Sequence, residues 1–479
     1  MKRYPLVEPL LTPLKAPQAF ALFKDDPRAF FLDSGMDPQR LGRYSFIGSR
    51  PFLVINSRGR QVTVDFQGRK ETFESNPFDV LDTWLRRYRL DAYPLPVPFA
   101  GGAVGYLGYD LRHFIERLPG HAGADINLPE CYFAFYDVVV AIDHLDDRAY
   151  VISTGFPEEA EERRLQTARG RLSGIKSRLI KPFPEANIEE KSTEAAALRL
   201  KSNFTHDTYI KAVARAREYI CAGDIFQVNL SQRFEAELPL TPYELHCRIR
   251  SINPAPFAAY LDMGDGQAVI SASPERFLKL SGDMVETRPI KGTRPRGKTP
   301  QEDAALAHEL VTSIKDRAEN VMIVDLERND LGRVCRYGSV RVTELVILET
   351  FPTVFHLTST VVGQLTPDKT GIDLLKASFP GGSITGAPKV RSMEIIDELE
   401  PTRRSVYTGA LGYLGFNGDL DLNIVIRTFL IDGKKVYFQV GGGIVYDSEP
   451  EAEYQETLDK ARALFMALKL APEVNTVTV

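Results

Sequence analysis

The residue with the plainest chemical potential is Lys291, in Glu286-Thr287-Arg288-Pro289-Ile290-Lys291-Gly292-Thr293-Arg294-Pro295-Arg296-Gly297. Arg288, Arg294 and Arg296 stand close to it, between a β-rich run and a Gly-Thr turn. Like charges and burial both depress an amine pKa, and an amine that loses its proton becomes a nucleophile. A solvated basic loop has the same composition, so the chemistry depends on partners.

The first partner is a carboxylate. Ala268 to Leu280 runs into Ser281-Gly282-Asp283 and returns as Met284 to Lys291, which predicts a hairpin. With Gly282-Asp283-Met284 as the turn, Glu275 opposes Lys291, and a two-residue turn shifts the partner by one. Opposed side chains start about 5 Å apart at Cβ, close enough for Glu275 to exchange protons with whatever the amine attacks. The same spacing also suits a cross-strand ion pair.

A second hairpin turns at Asn417-Gly418 and brings Tyr407 within about two residues of facing Arg427, a phenol and a guanidinium suited to a small carboxylate. A third strand, Lys435 to Val440, ends in Gly441-Gly442-Gly443, where backbone amides either close on an anion or mark a bend. The turn Pro380-Gly381-Gly382-Ser383-Ile384-Thr385-Gly386-Ala387-Pro388-Lys389 precedes a helix and can bind an anion. It lacks the Gly-Lys-Ser/Thr ending of a nucleotide loop.

Two helices carry acidic pairs. Thr299-Pro300-Gln301-Glu302 is a capping box, and the helix it opens is expected to run past Leu306, Leu310 and Ile314 to Asp316 and Glu319. Ser448-Glu449-Pro450-Glu451 is a second capping box, opening a helix that carries Glu453 and Glu456. Acids at i and i+3 share a helix face. Singly, each pair fits a solvated face; converging, they form a hard-oxygen site for Mg²⁺.

These groups need elements to hold them. Residues 1–155 alternate short apolar runs with turn residues and read as strand-rich. Their glycine run Gly101 to Gly108 fits close backbone packing, because no amphipathic helix opens behind it. Residues 156–203 comprise a helix with Leu165, Ala168, Leu172, Ile175 and Leu179 on one stripe and a linker from Lys181 to Lys201. Residues 204–479 carry the chemistry. They open with a helix from about Asp207 and then a strand in which Phe226, Val228 and Leu230 face the core and Gln227, Asn229 and Ser231 face a polar pocket.

The 479 residues include 59 basic and 64 acidic side chains, a net charge of −5, which offers no basic field for nucleic acid or an anionic membrane. Cys131, Cys221, Cys247 and Cys335 form no C-x-x-C pair, so reduced thiols in a cytoplasmic protein are expected. The proline-broken N-terminus is not a signal peptide, and no window approaches the roughly 18 apolar residues that span a bilayer.

Pro289 to Gly297, Asp316-Arg317-Ala318-Glu319-Asn320 with Asp325-Leu326-Glu327-Arg328-Asn329-Asp330-Leu331, Gly381 to Lys389 and Gly441 to Glu456 together resemble the chorismate-utilising enzymes. That family includes the large components of anthranilate synthase and aminodeoxychorismate synthase, with isochorismate and salicylate synthases more distant. The match is dense and in order from Phe204 to Ala463, and Gly42 to Gly48 resembles the N-terminal half of the same architecture. The resemblance implies an α+β fold of two packed, mainly antiparallel β-sheets, an orthogonal sandwich with peripheral helices, and a Mg²⁺-dependent reaction on chorismate. It implies that Glu319 and Glu456 are Mg²⁺ ligands and that Glu453 supports them. Asp316 departs from the glutamate common in anthranilate-forming relatives. Tyr407, Arg427 and the Gly441, Gly442 and Gly443 amides resemble the grip on the enolpyruvyl carboxylate. Gly292 and Thr293, with Thr385 in the glycine-rich turn, match substrate-binding positions, and His356 resembles the histidine near the departing ring hydroxyl.

Anthranilate-forming relatives resemble the Lys291 stretch but read Pro-Ile-Ala-Gly-Thr, and there ammonia adds at ring C2. Lysine instead implies attack by the amine at C2, protonation of the leaving C4 hydroxyl by Glu275, and ammonia addition at C4. The product is then 4-amino-4-deoxychorismate, precursor of p-aminobenzoate and folate. Asn229, where anthranilate relatives commonly have valine, points the same way. None of the four cysteines sits in a Gly-x-Cys-x-Gly nucleophile turn, so ammonia is expected from a separate glutamine amidotransferase subunit, in a heterodimer. No pyridoxal-phosphate lyase region follows Val479, so pyruvate loss is expected to need another enzyme. One alternative is the large component of anthranilate synthase, which Lys291 opposes. Another is a non-catalytic sensor of chorismate or tryptophan, which the acidic pairs with Glu275 and Lys291 oppose. Ser34, Asn253, Pro254 and Phe257 lie in segments that resemble the lining of a tryptophan pocket in relatives.

Overall fold

A computed structural model describes residues 2–34, 36–180, 200–351 and 354–469. Their strands form two twelve-stranded sheets, and each sheet draws on both ends of the chain. In the first, Phe257–Gly264 pairs with Phe30–Asp33, setting Ala258 opposite Asp33. In the second, Ala410–Gly415 pairs with Gly102–Leu107, setting Ala410 opposite Leu107. Both junctions are antiparallel, as are the ladders that flank them. The 1–155 and 204–479 regions thus share both sheets. Between them runs the helix Glu161–Leu179, buried at Ala168, Leu172 and Leu179. The expected linker lies outside the described residues, apart from Leu200 and Lys201.

Apolar side chains from both sheets meet in one interior layer, among them Phe30, Phe46, Phe99, Tyr106, Tyr413 and Leu430. Helices cover the outer faces: Phe20, Leu172, Ile249 and Leu464 pack over one sheet, and Phe78, Val324 and Leu375 over the other. Each sheet is thus apolar on both faces, one against the other sheet and one beneath helices. No helix among the described residues is long and apolar enough to cross a membrane. The glycine run forms the buried strand Gly102–Leu107, where a Cβ at Gly105 would collide with the Tyr132 carbonyl.

Four local expectations change. Phe226 is 72% exposed, because the strand begins at Gln227, and the expected pocket-facing Gln227 and Ser231 are buried like Val228 and Leu230. The helix expected to run unbroken from Thr299 to Glu319 is two helices, Pro300–Thr312 and Ile314–Gly332. Ser313 sits between them in extended backbone and caps the second, its Oγ accepting from the Asp316 N–H. At the last helix, Pro450–Ala467, Glu449 rather than Ser448 is the N-cap. Ser448 is freed to donate to Glu453 Oε1 at 2.6 Å.

The fourth is the hairpin register. Arg276–Ser281 and Met284–Arg288 turn through Gly282-Asp283, with Ser281 opposite Met284, and the register slips again before Arg276 meets Arg288. Lys291 lies on the next strand, Ile290–Pro295, which pairs with Val354–Gln364. Glu275 and Lys291 are therefore not cross-strand partners.

Candidate active site

The two residues share a neighbour all the same, Ser383, by way of a bulge and a turn. Ile290 pairs with Thr358 and Thr293 with His356, so Lys291 and Gly292 occupy a β-bulge, a feature that re-aims side chains beside active sites. Gly292 takes φ +83°, the left-handed conformation such a bulge requires. The bulge turns the Lys291 amine onto the Ser383 carbonyl, to which Nζ donates at 2.9 Å. Ser383 lies in the short 3₁₀ turn Gly382–Ile384. Its hydroxyl bonds to the Glu275 carboxyl, which also accepts from the Ile290 N–H. One serine thus holds the amine by its backbone and the acid by its side chain.

Burial governs both protonation states. It pushes the Glu275 carboxyl above its ordinary value, against the opposing bonds from Ser383 and the charge of Lys291. It pushes the half-buried Lys291 amine below its ordinary value, against the pull of Glu319 and Glu275. Each group is moved toward its neutral form.

His356 is 2% exposed, and its Nδ1 lies 2.9 Å from the Thr293 hydroxyl. Burial and the nearby Arg427 charge push the imidazole down to about 3, so the ring is neutral. Its Nε2 has no partner among the described residues. Thr385 is buried, and its hydroxyl donates to the Gly381 carbonyl at 2.9 Å, inside the turn.

The Ala410–Gly415 and Leu420–Ile424 strands form the expected hairpin, and their pairing extends through the Thr408 N–H to the Val425 carbonyl. The Tyr407 ring instead lies by the Arg404 guanidinium, nothing among the described residues pairs it with Arg427, and Arg427 takes φ +49°. Burial depresses the Arg427 guanidinium, and it meets no carboxylate among the described residues. A desolvated cation without an anion is a strong recruiter of one. Past Phe438 the strand Lys435–Ile444 has no partner on the side of Thr428–Asp432, so Gly441, Gly442 and Gly443 occupy a half-open edge.

A Cβ at Gly442 would lie 3.2 Å from Glu453 Oε2 and 3.5 Å from Glu456 Oε1, so glycine lets both carboxylates approach the strand. Glu319 faces the same region from the other helix; burial raises its carboxyl, and Asp316 and Glu456 raise it further. Burial also raises Glu453. Asp316 is engaged by Arg294 at 3.2 Å. No group of three or more His, Cys, Asp or Glu side chains among the described residues stands ready to hold a metal. The chemistry of Glu319, Glu453 and Glu456 nonetheless fits Mg²⁺, which takes one or two protein carboxylates and completes its shell with water and an anionic substrate.

Three contributors carried weaker signals. Lys460 pairs with Glu456 at 2.7 Å and donates to the Gly441 carbonyl at 3.0 Å; its place one turn after Glu456 was the available clue. Arg404, fully buried and paired with Glu400, donates to the Ile384 and Asn229 carbonyls and braces the turn. Ser383 acts partly through its carbonyl, which no side-chain pattern announces.

Away from this cluster, Ser34 and Phe257 line a cavity of about 590 Å³ between the sheets. Asn253 and Pro254 are not in its wall; Asn253 is buried at the end of the helix Pro242–Ile252.

A family model described as chorismate binding enzyme matches residues 29–466. The chain is 41% identical over 438 residues to aminodeoxychorismate synthase component 1 of Bacillus subtilis, covering 91% of this chain and 92% of that protein. It is 40% identical over 460 residues to anthranilate synthase component 1 of Acetivibrio thermocellus, covering 95% and 93%. Among solved structures, anthranilate synthase component I from Streptococcus pneumoniae superposes with a TM-score of 0.77 at 34% identity, covering 89% of this chain and 95% of that one.

Proposed function

The chain belongs to the chorismate binding enzymes, and from that premise we propose that it aminates chorismate at C4 to give 4-amino-4-deoxychorismate. Relatives of about equal similarity carry the names of C4- and C2-aminating enzymes, so the choice rests on the site. The observation that carries it is the Ser383 bridge, which aims the Lys291 amine and the Glu275 carboxyl at one place with burial driving both toward neutrality.

The neutral Lys291 amine forms a bond to C2, the ring double bonds shift, and the C4 hydroxyl leaves as water with the proton of Glu275. Ammonia then bonds to C4, the double bonds shift back, and the C2–N bond breaks to restore the amine. The proton released by the new ammonium group returns to the Glu275 carboxylate. Neutral His356 offers a polar edge without a competing charge beside the departing hydroxyl.

Arg427, Tyr407 and those amides of Gly441 to Gly443 that face the open edge bind the enolpyruvyl carboxylate in this reading. Glu319 and Glu456 would hold Mg²⁺, supported by Glu453, and the bound ion supplies charge neutralisation at the ring carboxylate. Ammonia comes from a glutamine amidotransferase partner, a reading that the "component 1" names of the relatives support. The test is to incubate the purified chain with chorismate, Mg²⁺ and ammonium and identify the product by mass and fluorescence. Aminodeoxychorismate is expected, and anthranilate as the sole product would overturn the reading.

A further inference from the structure

Glu327 is an acid that the reaction above does not use. It lies on the helix Ile314–Gly332, 2% exposed, on the stripe that also buries Asn320 and Asp330. A buried carboxyl persists only with partners. Lys389, the neighbouring cation, is committed to Asp330 at 2.5 Å and to the Ser378 carbonyl at 3.0 Å. Glu327 is bound instead by uncharged donors: Oε1 accepts from the Gly382 N–H at 3.2 Å and Oε2 from the Thr287 hydroxyl at 3.4 Å.

Those two donors belong to the segments that build the site. Gly382 opens the turn whose next residue, Ser383, holds both Lys291 and Glu275. Thr287 lies on the strand Met284–Arg288, which leads through Pro289 to Ile290, the second donor to Glu275, and to Lys291 itself. A single carboxyl therefore ties together the two pieces of chain whose spacing fixes nucleophile against acid.

We propose that Glu327 is a positioning residue, clamping Gly382 to Thr287 so that Ser383 presents its carbonyl to Lys291 and its hydroxyl to Glu275. The inference rests on the Lys291 and Glu275 roles proposed above. It adds a dependence on pH. The groups that face Glu327 are Asp330 on its own helix, Lys389 on the helix Lys389–Leu399, and Glu275 from the bend before Arg276. Burial, with the charge of Asp330 and against that of Lys389, holds the carboxyl protonated up to about 8. Above that, its ionisation puts a negative charge behind Glu275 and makes Glu275 a weaker acid toward the leaving hydroxyl.

The test compares Glu327→Gln and Glu327→Leu with the wild-type chain in chorismate, Mg²⁺ and ammonium. Glutamine keeps the shape and the acceptor but cannot ionise, so the inflection of kcat near pH 8 disappears. Leucine breaks the clamp, so kcat falls about tenfold or more while the KM for chorismate stays within about threefold. A Glu327→Gln profile that superimposes on the wild type overturns the proposal, as does a Glu327→Leu variant with undiminished kcat. Should leucine prevent folding, the glutamine profile decides alone. The identity of the wild-type product reports separately on the amination reading, so the two can fail independently.

Discussion

Asn229 and Lys291 donate to the same oxygen: the Asn229 amide reaches the Ser383 carbonyl at 2.7 Å and the Lys291 amine at 2.9 Å. The amide fixes the carbonyl, and the carbonyl fixes the amine in its bulge. Replacing Asn229 by Val removes one donor worth about 1 kcal/mol, so kcat for C4 amination is expected to fall about fivefold or more. Steady-state rates with ammonium check this, and an unchanged kcat contradicts it.

Arg427 is a desolvated cation waiting for an anion. Arg427→Met relieves the burial cost in the empty protein and removes the charge that chorismate meets. The melting temperature is expected to hold or rise while the KM for chorismate rises about tenfold or more. Thermal unfolding and initial rates read the two effects separately. A large loss of stability would mean that Arg427 has an internal partner.

Glu319 is raised by burial and by Asp316 and Glu456, against the charges of Lys291 and Lys315. Glu319→Gln should raise the Mg²⁺ concentration for half-maximal activity about tenfold or more. Removal of the metal by a chelator should abolish turnover in the wild type. Titration of Mg²⁺ into stripped protein measures both, and activity that survives stripping contradicts the metal assignment.

His246 lies outside the site, ringed by Phe20, Phe31 and Tyr260, with neither ring nitrogen partnered among the described residues. Burial pushes its imidazole down to about 4, against about 6.5 in an unfolded chain. Between those values the unfolded state binds more protons, so folded stability falls as pH drops below about 6.5, by up to about 1.4 kcal/mol per unit. His246→Phe should flatten that dependence. Denaturant unfolding at about pH 5 and about pH 7.5 gives the comparison, and an equal slope in both proteins refutes it.

Local chemistry was readable where it is local. Thr299 caps its helix, and the Asn417-Gly418 signal lies at a hairpin turn, because both depend on a few adjacent side chains. The pairing of Phe30–Asp33 with Phe257–Gly264 joins residues more than two hundred apart and leaves no mark in either segment. Glu275 and Lys291 show the limit best. Hairpin counting sets them opposite each other, but they are not cross-strand partners: a bulge at Lys291-Gly292 and a turn at Ser383 decide the geometry. Glu327 was visible only as part of a family-like stretch; its two bonds come from a distant backbone amide and a distant hydroxyl.

The central claim is that Lys291 is the nucleophile that sends nitrogen to C4. The most direct measurement is to incubate the chain with chorismate and Mg²⁺ without ammonium, digest it, and weigh the peptide that contains Lys291. The expected result is a gain equal to chorismate less water on Lys291, lost when ammonium is added and absent from Lys291→Ala, which should also lose C4 amination. An unmodified peptide, with aminodeoxychorismate formed at the wild-type rate by Lys291→Ala, would contradict it.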